Sequence, residues 1–304
     1  MTRFAYFNNE FVPYEEALIP IGTHALQYGT ACFEGIRGYW NNEKEKLYIF
    51  KLKDHYLRMQ KSAEILHMKL PLDPDTLCEI TIELIKKNRY RENIYIRPIL
   101  YKSDDIVSRF NLDKLNDSFA IYTVPLGIHL NIDKGIYVIL SSWKRISSNI
   151  IPPSAKPTGI YLNTCLAKTE AEAKGADEAI LLNLDNTLAE GSAENIFLVK
   201  NNRLYTPSLD QNILEGITRN TIIELARKEL DISTIRRKIM TTELTGADEV
   251  FLTGTGAEVT PVIKIDKKKV GNGQIGPITQ QLQDIYFRVV HGNHPKYTHW
   301  ITAV

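Results

Sequence analysis

The sequence predicts a mixed α and β protein with two domains. Its 304 residues exceed what one hydrophobic core usually serves. Strand-like and helix-like apolar patterns alternate along the chain. Residues 125–134 contain proline and glycine and precede a new apolar run, so we expect the boundary between the domains there.

The part before this boundary combines hairpins, helices and strands. Two apolar runs around Asn8 and Asn9 predict a hairpin over residues 4–12, and a second hairpin is predicted over residues 33–50. Apolar side chains at helical spacing predict a helix over residues 53–67. The other elements predicted here are a helix around Leu77, Ile80 and Leu84, and strands over residues 94–101 and 119–124.

The part after the boundary alternates strands and helices. Gly175 is the expected end of the first helix. The predicted helices cover residues 161–174, 218–230 and 278–290. The predicted strands cover residues 136–140, 179–184, 195–199, 250–252 and 259–265.

Composition and charge favour a soluble cytoplasmic enzyme. With 37 Lys and Arg against 36 Asp and Glu, the net charge of +1 gives no electrostatic reason to expect a nucleic acid or an anionic membrane as partner. The three cysteines are widely spaced and odd in number, so we expect a reducing compartment and no disulfide framework. The N-terminus has no apolar signal segment, and no stretch approaches the ~18 apolar residues of a membrane span.

Lys156 is the first candidate for covalent chemistry. It lies in Ile151–Gly159, a loop rich in proline, glycine and serine just ahead of a predicted helix. Most lysines in such loops are simply solvated, and composition alone does not separate the two interpretations. A desolvated lysine has a lowered pKa and can attack an aldehyde to form a Schiff base.

Glu190 is the second candidate. It precedes a small-residue turn that contains Glu194 and leads into the strand predicted over residues 195–199. The segment is either an exposed turn or a place where a carboxylate is held against a protonated pyridine nitrogen. A charge-assisted bond of that kind contributes about 1.5–3 kcal/mol and keeps the ring an electron sink.

Two segments are suited to binding phosphate, although each signal is weak alone. Residues 215–219 precede a predicted helix, whose N-terminus favours anions. Residues 253–256 form a threonine and glycine turn after a strand. The sequence has no dinucleotide glycine fingerprint, no Walker A motif, no HExxH and no GxSxG. His24 and His55 lie apart from any metal-binding pattern, so we expect no metal site.

Several segments follow one another in a recognisable order. They are His24–Arg37 (HALQYGTACFEGIR), Asp54–Arg58, Tyr95–Pro98, Ser154–Lys156, Tyr161, Ala189–Asn195 (AEGSAEN), Gly216–Arg219 (GITR) and Ala247–Pro261 (ADEVFLTGTGAEVTP). In this order they resemble the fold-type IV pyridoxal-phosphate enzymes, and among these the branched-chain amino-acid aminotransferases. The similarity runs from about His24 to Pro295, nearly the whole chain.

The resemblance implies an α+β fold of two domains, like that of D-amino-acid aminotransferase. A small α/β N-terminal domain would cover residues 1–124, an interdomain loop residues 125–134, and a larger cofactor-binding pseudo-barrel domain residues 135–304. The implied reaction is a ping-pong transamination in which L-leucine, L-isoleucine or L-valine leaves as its keto acid and 2-oxoglutarate takes the amine. The implied cofactor is pyridoxal 5′-phosphate, and the implied assembly is a homodimer or a higher homo-oligomer built from dimers.

The resemblance also assigns roles to single residues. Lys156 is the catalytic residue: it would form the Schiff base with the cofactor and then shuttle the proton at the substrate α-carbon. Tyr161 would bond the ring hydroxyl oxygen and Glu190 the ring nitrogen. The residues implied to hold the phosphate are Arg58, Ile217, Thr218 and Thr255. The residues implied to line the substrate site are Tyr28, Phe33, Arg37, Tyr95, Arg97, Thr255 and Gly256, and the last two would receive the α-carboxylate through their backbone.

The sequence departs from the family pattern in ways that bear on specificity. The interdomain loop has Leu126 and His129 where bacterial members often have Trp and Tyr, Gly256 replaces an alanine, and residues 102–105 replace a glycine-rich stretch. We expect Leu126 and His129 to leave a roomier pocket that tolerates phenylalanine or methionine, unless another residue fills the gap.

Two kinds of alternative stay open at the level of sequence. One keeps the cofactor and changes the reaction: a D-amino-acid or (R)-amine transaminase, or an aminodeoxychorismate lyase, of the same fold. The other is a protein that binds a phosphate ligand without turnover, and the presence of Lys156, Glu190 and Tyr161 argues against it, because binding alone needs no Schiff-base lysine.

Overall fold

The computed structural model describes residues 2–127 and 130–304. They form two compact units, defined by contacts within each. Unit 1 comprises the described part of Met1–Gly127 together with Ala155–Gly159 and Val289–Val304. Unit 2 comprises the described part of Ile128–Ser154 and Ile160–Arg288. The short segment that carries Lys156 therefore groups with unit 1, and the domain boundaries given above stay a prediction.

The described residues contain the following elements, numbered in chain order. The helices are α1 His24–Tyr28, α2 Leu52–Ile65, α3 Pro74–Asn88, α4 Tyr161–Ala173, α5 Ile217–Leu230 and α6 Pro277–Val290. The strands are β1 Phe4–Phe7, β2 Glu10–Pro13, β3 Ala31–Phe33, β4 Ile36–Asn41, β5 Lys46–Phe50, β6 Ile94–Lys102, β7 Asp117–Pro125, β8 Ile136–Lys144, β9 Glu178–Leu182, β10 Leu188–Gly191, β11 Asn195–Lys200, β12 Arg203–Thr206, β13 Thr234–Arg236, β14 Glu249–Gly254, β15 Glu258–Ile265, β16 Lys268–Lys269 and β17 Ile301–Ala303.

Unit 1 is built on an antiparallel sheet with strand order β17-β5-β4-β6-β7-β1-β2, and β3 pairs with β6. The apolar face of α2 belongs to the core of this unit, which includes Leu52, Tyr56 and Met59 together with Leu77 and Leu84 of α3. This face has the helical spacing that predicted α2. Burying these side chains is the main source of stability for the layer of helices.

Unit 2 is built on a mixed sheet with strand order β10-β9-β8-β15-β14-β11-β12-β13, and β16 pairs with β15. The pairs β8–β9, β8–β15 and β12–β13 are parallel, and the other pairs are antiparallel. Helix α4 lies against β8 and β9. Its buried face consists of small side chains such as Ala167 and Ala171, which share a core cluster with Ala179 of β9. Small residues allow the helix to approach the sheet closely.

Helix ends follow the local chemistry of the sequence. Helix α3 begins after Asp73, whose carboxylate accepts hydrogen bonds from the backbone N–H groups of Asp75 (3.0 Å) and Thr76 (3.1 Å), and Pro74 occupies the first helical position. The first turn of α6 is capped by Glu249, which lies on β14 and accepts from the N–H groups of Ile278 (3.0 Å) and Thr279 (2.7 Å). A carboxylate at a helix N-terminus also interacts favourably with the helix dipole.

The helices from α2 onwards confirm the sequence predictions to within two residues, whereas several short elements were not predicted and the long strand β8 ends four residues beyond its prediction. The helices predicted over residues 161–174, 218–230 and 278–290 are α4, α5 and α6. The short elements that were not predicted are α1, β3, β10, β12, β13, β16 and β17. The exposed-turn interpretation of Glu190 is wrong: Leu188–Gly191 is a buried strand, and only the three residues after it form the bend.

Two further sequence expectations concern the membrane and the interdomain loop. No helix in the described part of the chain is long and apolar enough to cross a lipid bilayer. In the loop, the backbone N–H of Leu126 donates to the carbonyl of Asn93 at 2.9 Å. Ile128 and His129 lie outside the described residues, so the pocket expected from Leu126 and His129 stays a prediction.

Candidate active site

Lys156 lies between two short 3-10 turns, Pro153–Ala155 and Thr158–Ile160, in a backbone conformation with a φ of +43°. A positive φ is uncommon for a residue with a side chain and persists only where the surroundings enforce it. Here the N–H of Phe33 donates to the Lys156 carbonyl (3.4 Å), and the Thr158 hydroxyl donates to the Gly29 carbonyl (2.9 Å). The backbone of this lysine is therefore fixed against the start of β3.

The Lys156 amine belongs to a cluster of cations and aromatic rings in unit 1. Its Nζ lies 4.7 Å from the ring centroid of Phe33, and Cζ of Arg97 lies 4.2 Å from the same centroid. Arg97 also donates from Nη2 to the Tyr95 hydroxyl at 2.9 Å. Its Nε is buried and has no hydrogen-bond partner in the structure. An orphaned guanidinium N–H of this kind is suited to an anionic ligand.

Gly35 permits the placement of Tyr95. A Cβ added at Gly35 would lie 2.0 Å from the Tyr95 hydroxyl oxygen, so only glycine lets this ring cross the link between β3 and β4. The neighbouring Arg37 is buried, donates from Nη2 to the Gly127 carbonyl (3.3 Å) and places its guanidinium 5.2 Å from the Tyr39 ring centroid. The predicted substrate residues Phe33, Tyr95 and Arg97 thus lie together, and Arg37 is anchored beside them in sequence.

Arg58 is held by a buried carboxylate. Both Nε and Nη2 of Arg58 donate to Glu34, each at 2.7 Å, and the second Glu34 oxygen also receives Nδ1 of His55 at 2.7 Å. Burial alone would raise the pKa of Glu34, but the charge and hydrogen bonds of Arg58 and the His55 bond outweigh it and hold that pKa well below its usual range. Sequence analysis assigned no role to Glu34 or His55; the signal was the (i, i+3) spacing of His55 and Arg58 on one helix face.

Tyr28 lies on α1 and stays 39% exposed. Its ring centroid is 5.3 Å from that of Phe110 and 4.6 Å from that of His24. The buried His24 ring in turn bonds the Thr30 hydroxyl through Nδ1 (2.7 Å) and the Arg109 carbonyl through Nε2 (2.8 Å). His24 therefore joins α1 to the segment around Arg109, which is a structural role and not the ligation of a metal.

In unit 2, Glu190 is a buried carboxylate whose two oxygens contact the side chains of Arg145 and Asn195 and the backbone of Leu214. Oε1 forms an ion pair with Nη2 of Arg145 at 2.6 Å. Oε2 accepts from Nδ2 of Asn195 (3.0 Å) and from the backbone N–H of Leu214 (3.1 Å). Arg145 is itself fixed, because its Nε donates to the Asn212 carbonyl at 3.0 Å. Glu190 is thus held rigidly on β10, and Arg145 is a supporting residue that sequence analysis missed.

The N-terminus of α5 lies next to this carboxylate. A Cβ added at Gly216 would lie 2.0 Å from the Asn195 side-chain oxygen, and Asn195 is the residue that bonds Glu190. Gly216 is the N-cap and has no side chain to satisfy the first backbone N–H groups of the helix, those of Ile217, Thr218 and Arg219. These donors, with the positive helix end, are suited to binding an anion.

The loop between β14 and β15 carries Thr255 and Gly256. It is tethered to the same region because Thr253 of β14 pairs with Asn195 of β11. Tyr161 is half-buried at the first position of α4, and this turn is fixed by the Thr164 hydroxyl, which donates to the Ser192 carbonyl at 2.7 Å. In unit 2, the segments that carry Tyr161, Glu190, Thr218 and Thr255 are therefore all connected to the bend after β10 or to Asn195, which follows it.

Glu194 lies in that bend, and its environment differs from that of Glu190. Within the described part of unit 2, no cation forms an ion pair with it. Its Oε2 accepts only the Ala193 N–H, at 3.0 Å. Burial raises the pKa of Glu194, and the negative charges of Glu178 and Glu190 raise it further, to about 8. Glu194 therefore retains its proton to a higher pH than an ordinary glutamate does.

Comparison with known proteins places this geometry in context. The model of the amino-transferase class IV family matches residues 31–265. The chain is 50% identical to a probable branched-chain-amino-acid aminotransferase of Aquifex aeolicus over 99% of this chain and 96% of that protein.

Two solved structures are similar over almost their whole length. The branched-chain aminotransferase of Thermoproteus uzoniensis with norvaline has a TM-score of 0.95 and 40% identity, covering 100% of this chain and 99% of the other. The PLP-form of the branched-chain amino acid aminotransferase of Thermobaculum terrenum has a TM-score of 0.93 and 38% identity, covering 99% and 98%. The predicted two-domain α+β fold class is confirmed.

Replacing Glu194 with glutamine should make the stability of the protein less sensitive to alkaline pH. The pKa of Glu194 is about 8 in the folded protein against 4.5 for an unperturbed glutamate, so between these values the folded state retains a proton that the unfolded state releases. Stability due to this group is therefore present below pH 4.5 and is lost as pH rises towards 8. Between pH 5 and pH 9 the wild type should lose this contribution and Glu194→Gln should not. The free energy of unfolding of the variant minus that of the wild type should therefore rise by about 2 kcal/mol or more over this range.

Denaturant unfolding at pH 5, 7 and 9, in the same cofactor state throughout, measures this difference. The exposed Glu10→Gln is the control and should follow the wild type at every pH. If Glu194→Gln also followed the wild type, Glu194 would be ionised in the folded protein and the assignment would be wrong.

Proposed function

Because the chain belongs to the amino-transferase class IV family, we propose that it moves the amino group of L-leucine, L-isoleucine or L-valine to 2-oxoglutarate in a ping-pong cycle with pyridoxal 5′-phosphate. The observation that carries the proposal is the buried Glu190 carboxylate, fixed by Arg145, Asn195 and a backbone N–H next to the N-terminus of α5. Relatives whose names state the same activity over nearly the full length support it.

The residues of the chain fit pyridoxal 5′-phosphate. A lysine fixed in an unfavourable backbone conformation, a buried carboxylate, and a helix N-terminus whose N-cap is glycine match its aldehyde, ring nitrogen and phosphate. When bound, this cofactor supplies an electron-withdrawing ring that stabilises negative charge at the substrate α-carbon. The residues proposed to hold it are Arg58, Lys156, Tyr161, Glu190, Ile217, Thr218 and Thr255.

Each residue then has a defined task. Lys156 attaches the cofactor through its amine and moves the proton at the α-carbon of the substrate. Glu190 holds a proton at the ring nitrogen, because a carboxylate beside it favours the charged form. Tyr161 donates to the ring hydroxyl oxygen. The rings of Phe33, Tyr28 and Tyr95 offer apolar walls to a branched side chain, and the backbone of Thr255 and Gly256 receives the α-carboxylate.

The two substrates place opposite demands on the side-chain pocket. A leucine side chain is apolar, whereas 2-oxoglutarate carries a second carboxylate at the same position. Arg97 meets both demands, because its guanidinium lies flat near the rings of Phe33 and Tyr95 and still has a buried N–H without a partner. We assign Arg97 to the second carboxylate.

The central test is a half-reaction with the purified protein. The protein should bind pyridoxal 5′-phosphate, and L-leucine should convert the bound cofactor to its amine form, whereas D-leucine should not. Lys156→Ala should abolish the conversion, and borohydride should no longer attach the cofactor to the protein. Conversion by D-leucine alone would favour a D-amino-acid transaminase, and attachment to a different lysine in the wild type would contradict the role of Lys156.

Arg97→Leu should impair the acceptor half-reaction far more than the donor half-reaction. Loss of a charge-assisted contact costs about 1.5–3 kcal/mol, so kcat/KM for 2-oxoglutarate should fall about 10-fold to 100-fold while that for L-leucine changes little. Arg97→Lys keeps the charge and loses the forked geometry, so its kcat/KM for 2-oxoglutarate should lie between those of the wild type and Arg97→Leu. Equal losses for both substrates would count against this assignment.

We also propose that the protein forms a homodimer through an apolar patch on unit 1, made of Ile21, Leu26, Tyr28, Val107 and Phe110. These side chains are exposed; Ile21 and Phe110, for example, are 89% and 68% exposed. The two segments that carry them are tied together by the Tyr28–Phe110 ring contact and the bridge from Thr23 to Asp105. Contiguous apolar surface on a water-soluble enzyme marks an interface, and a second copy of the chain is the occupant that family membership favours.

Light scattering coupled to gel filtration tests this assembly. The wild type should have twice the mass of one chain or a multiple of that, and the double variant Val107→Asp/Phe110→Asp should shift towards the monomer. Ile150→Asp, which changes an equally exposed apolar side chain of unit 2, is the matched control and should keep the dimer. A monomeric wild type at micromolar concentration would refute the proposal.

A further inference from the structure

Unit 1 contains a buried group of three polar side chains, Glu34, His55 and Arg58, that the proposed reaction does not fully explain. Glu34 is completely buried in the link between β3 and β4, and His55 is 2% exposed. The side chain of Arg58 retains 13% exposure. The carboxylate thus faces only protein, while the guanidinium is the member of the group that reaches the surface of the unit.

The backbone places these side chains with little freedom. The N–H of Glu34 donates to the Pro98 carbonyl at 3.0 Å, which fixes the link against β6. His55 and Arg58 are three residues apart on α2, so both project from the same side of the helix. The carboxylate meets Nε and Nη2 of Arg58 and Nδ1 of His55, all at 2.7 Å.

The three groups have defined protonation states. Burial lowers the pKa of His55 more than Glu34 raises it, so the imidazole is neutral at pH 7 and its Nδ1–H donates to the carboxylate. The positive charge of Lys156 contributes to this lowering, so the group lies within electrostatic reach of the Lys156 amine. Glu34 is anionic and Arg58 is cationic, and together they form a neutral pair.

A neutral pair is a poor choice if the only task of Arg58 is to attract an anion. The negative charge of Glu34 offsets the attraction that the guanidinium exerts on a phosphate. What the carboxylate provides instead is orientation. A guanidinium has five N–H donors in a rigid fork; Glu34 binds the edge formed by Nε and Nη2 and thereby sets the direction of the edge formed by Nη1 and Nη2.

We propose that Glu34, supported by His55, is a positioning residue that orients Arg58 for bidentate contact with the phosphate of the cofactor. This rests on the proposed function, because Arg58 acts on phosphate only if pyridoxal 5′-phosphate binds. A guanidinium that is already immobilised loses less side-chain entropy when the ligand arrives. Orientation therefore contributes more to phosphate affinity than the offset of charge removes.

Glu34→Gln should change phosphate affinity in opposite directions depending on whether orientation or electrostatic attraction dominates. Removing a negative charge beside Arg58 should tighten phosphate binding if attraction dominates. If orientation dominates, phosphate binding should weaken, because the amide N–H₂ of glutamine confronts a donor of Arg58 or His55 where the carboxylate accepted one. The informative quantity is the preference for pyridoxal 5′-phosphate over pyridoxal, which lacks the phosphate.

The experiment measures the dissociation constants of both aldehydes from the cofactor-depleted protein by fluorescence titration, with inorganic phosphate as a competitor. In Glu34→Gln the preference for the phosphorylated aldehyde should fall about 10-fold to 100-fold, the range of one charge-assisted contact, with little change for pyridoxal. Arg58→Lys should lose a similar preference, and the double variant should lose no more than either single variant, because the two residues act on the phosphate as one unit.

Glu249→Gln is the matched control, because it also neutralises a buried carboxylate that accepts from two nitrogen donors, in this case at the start of α6. It should lower stability and leave the preference unchanged. If Glu34→Gln does not fold, Glu34→Asp keeps the charge and shortens the reach, and the same fall in preference is expected.

The outcomes separate the two hypotheses. Suppose that the wild type prefers the phosphorylated aldehyde and that this preference is stronger or unchanged in the folded Glu34 variant. That result overturns the positioning role and leaves the proposed function intact. Equal weakening of both aldehydes assigns Glu34 to fold stability alone and also overturns it. A wild type that binds neither aldehyde refutes the proposed function itself.

Discussion

A carboxylate can be buried in a protein only where a cation or several hydrogen-bond donors replace the water it loses. In each unit a guanidinium replaces that water: Arg58 pairs with Glu34 in unit 1, and Arg145 pairs with Glu190 in unit 2. Removing one partner of such a pair leaves an uncompensated charge that costs about 3–5 kcal/mol. The pairs therefore constrain the strands and helices that carry the other candidate residues.

The two pairs differ in the exposure of their members. In unit 2 the side chains of Arg145 and Glu190 are equally buried, each 5% exposed, and the guanidinium is itself fixed by the Asn212 carbonyl. In unit 1 the fully buried member is Glu34, and Arg58 is the group that keeps some exposure. Each unit thus holds one candidate residue in place with a partner of opposite charge. Under the proposed function, Glu190 would meet a protonated ring nitrogen and Arg58 a phosphate.

The sequence predicted the parts of this arrangement that depend on local pattern. Helical spacing placed α2, α4, α5 and α6 because their buried faces repeat within one helix, and the motifs singled out Lys156, Arg58 and Glu190. Arg145 and Glu34 had no such signal, because their roles arise from contacts that join distant parts of the chain. The strand β10 was obscured for a related reason: all four of its residues are buried, so no alternation of polar and apolar side chains marks it.

Glu190 and Glu194 show how environment separates two carboxyl groups of one short segment. Glu190 has an arginine at 2.6 Å, whereas Glu194 has a single backbone donor and lies within reach of the charges of Glu178 and Glu190. Burial and, after it, the charge of Glu178 make ionisation of Glu194 costly, and the attraction of Lys168 does not compensate for them. The proton retained on Glu194 limits the negative charge near the ion pair of Glu190 with Arg145.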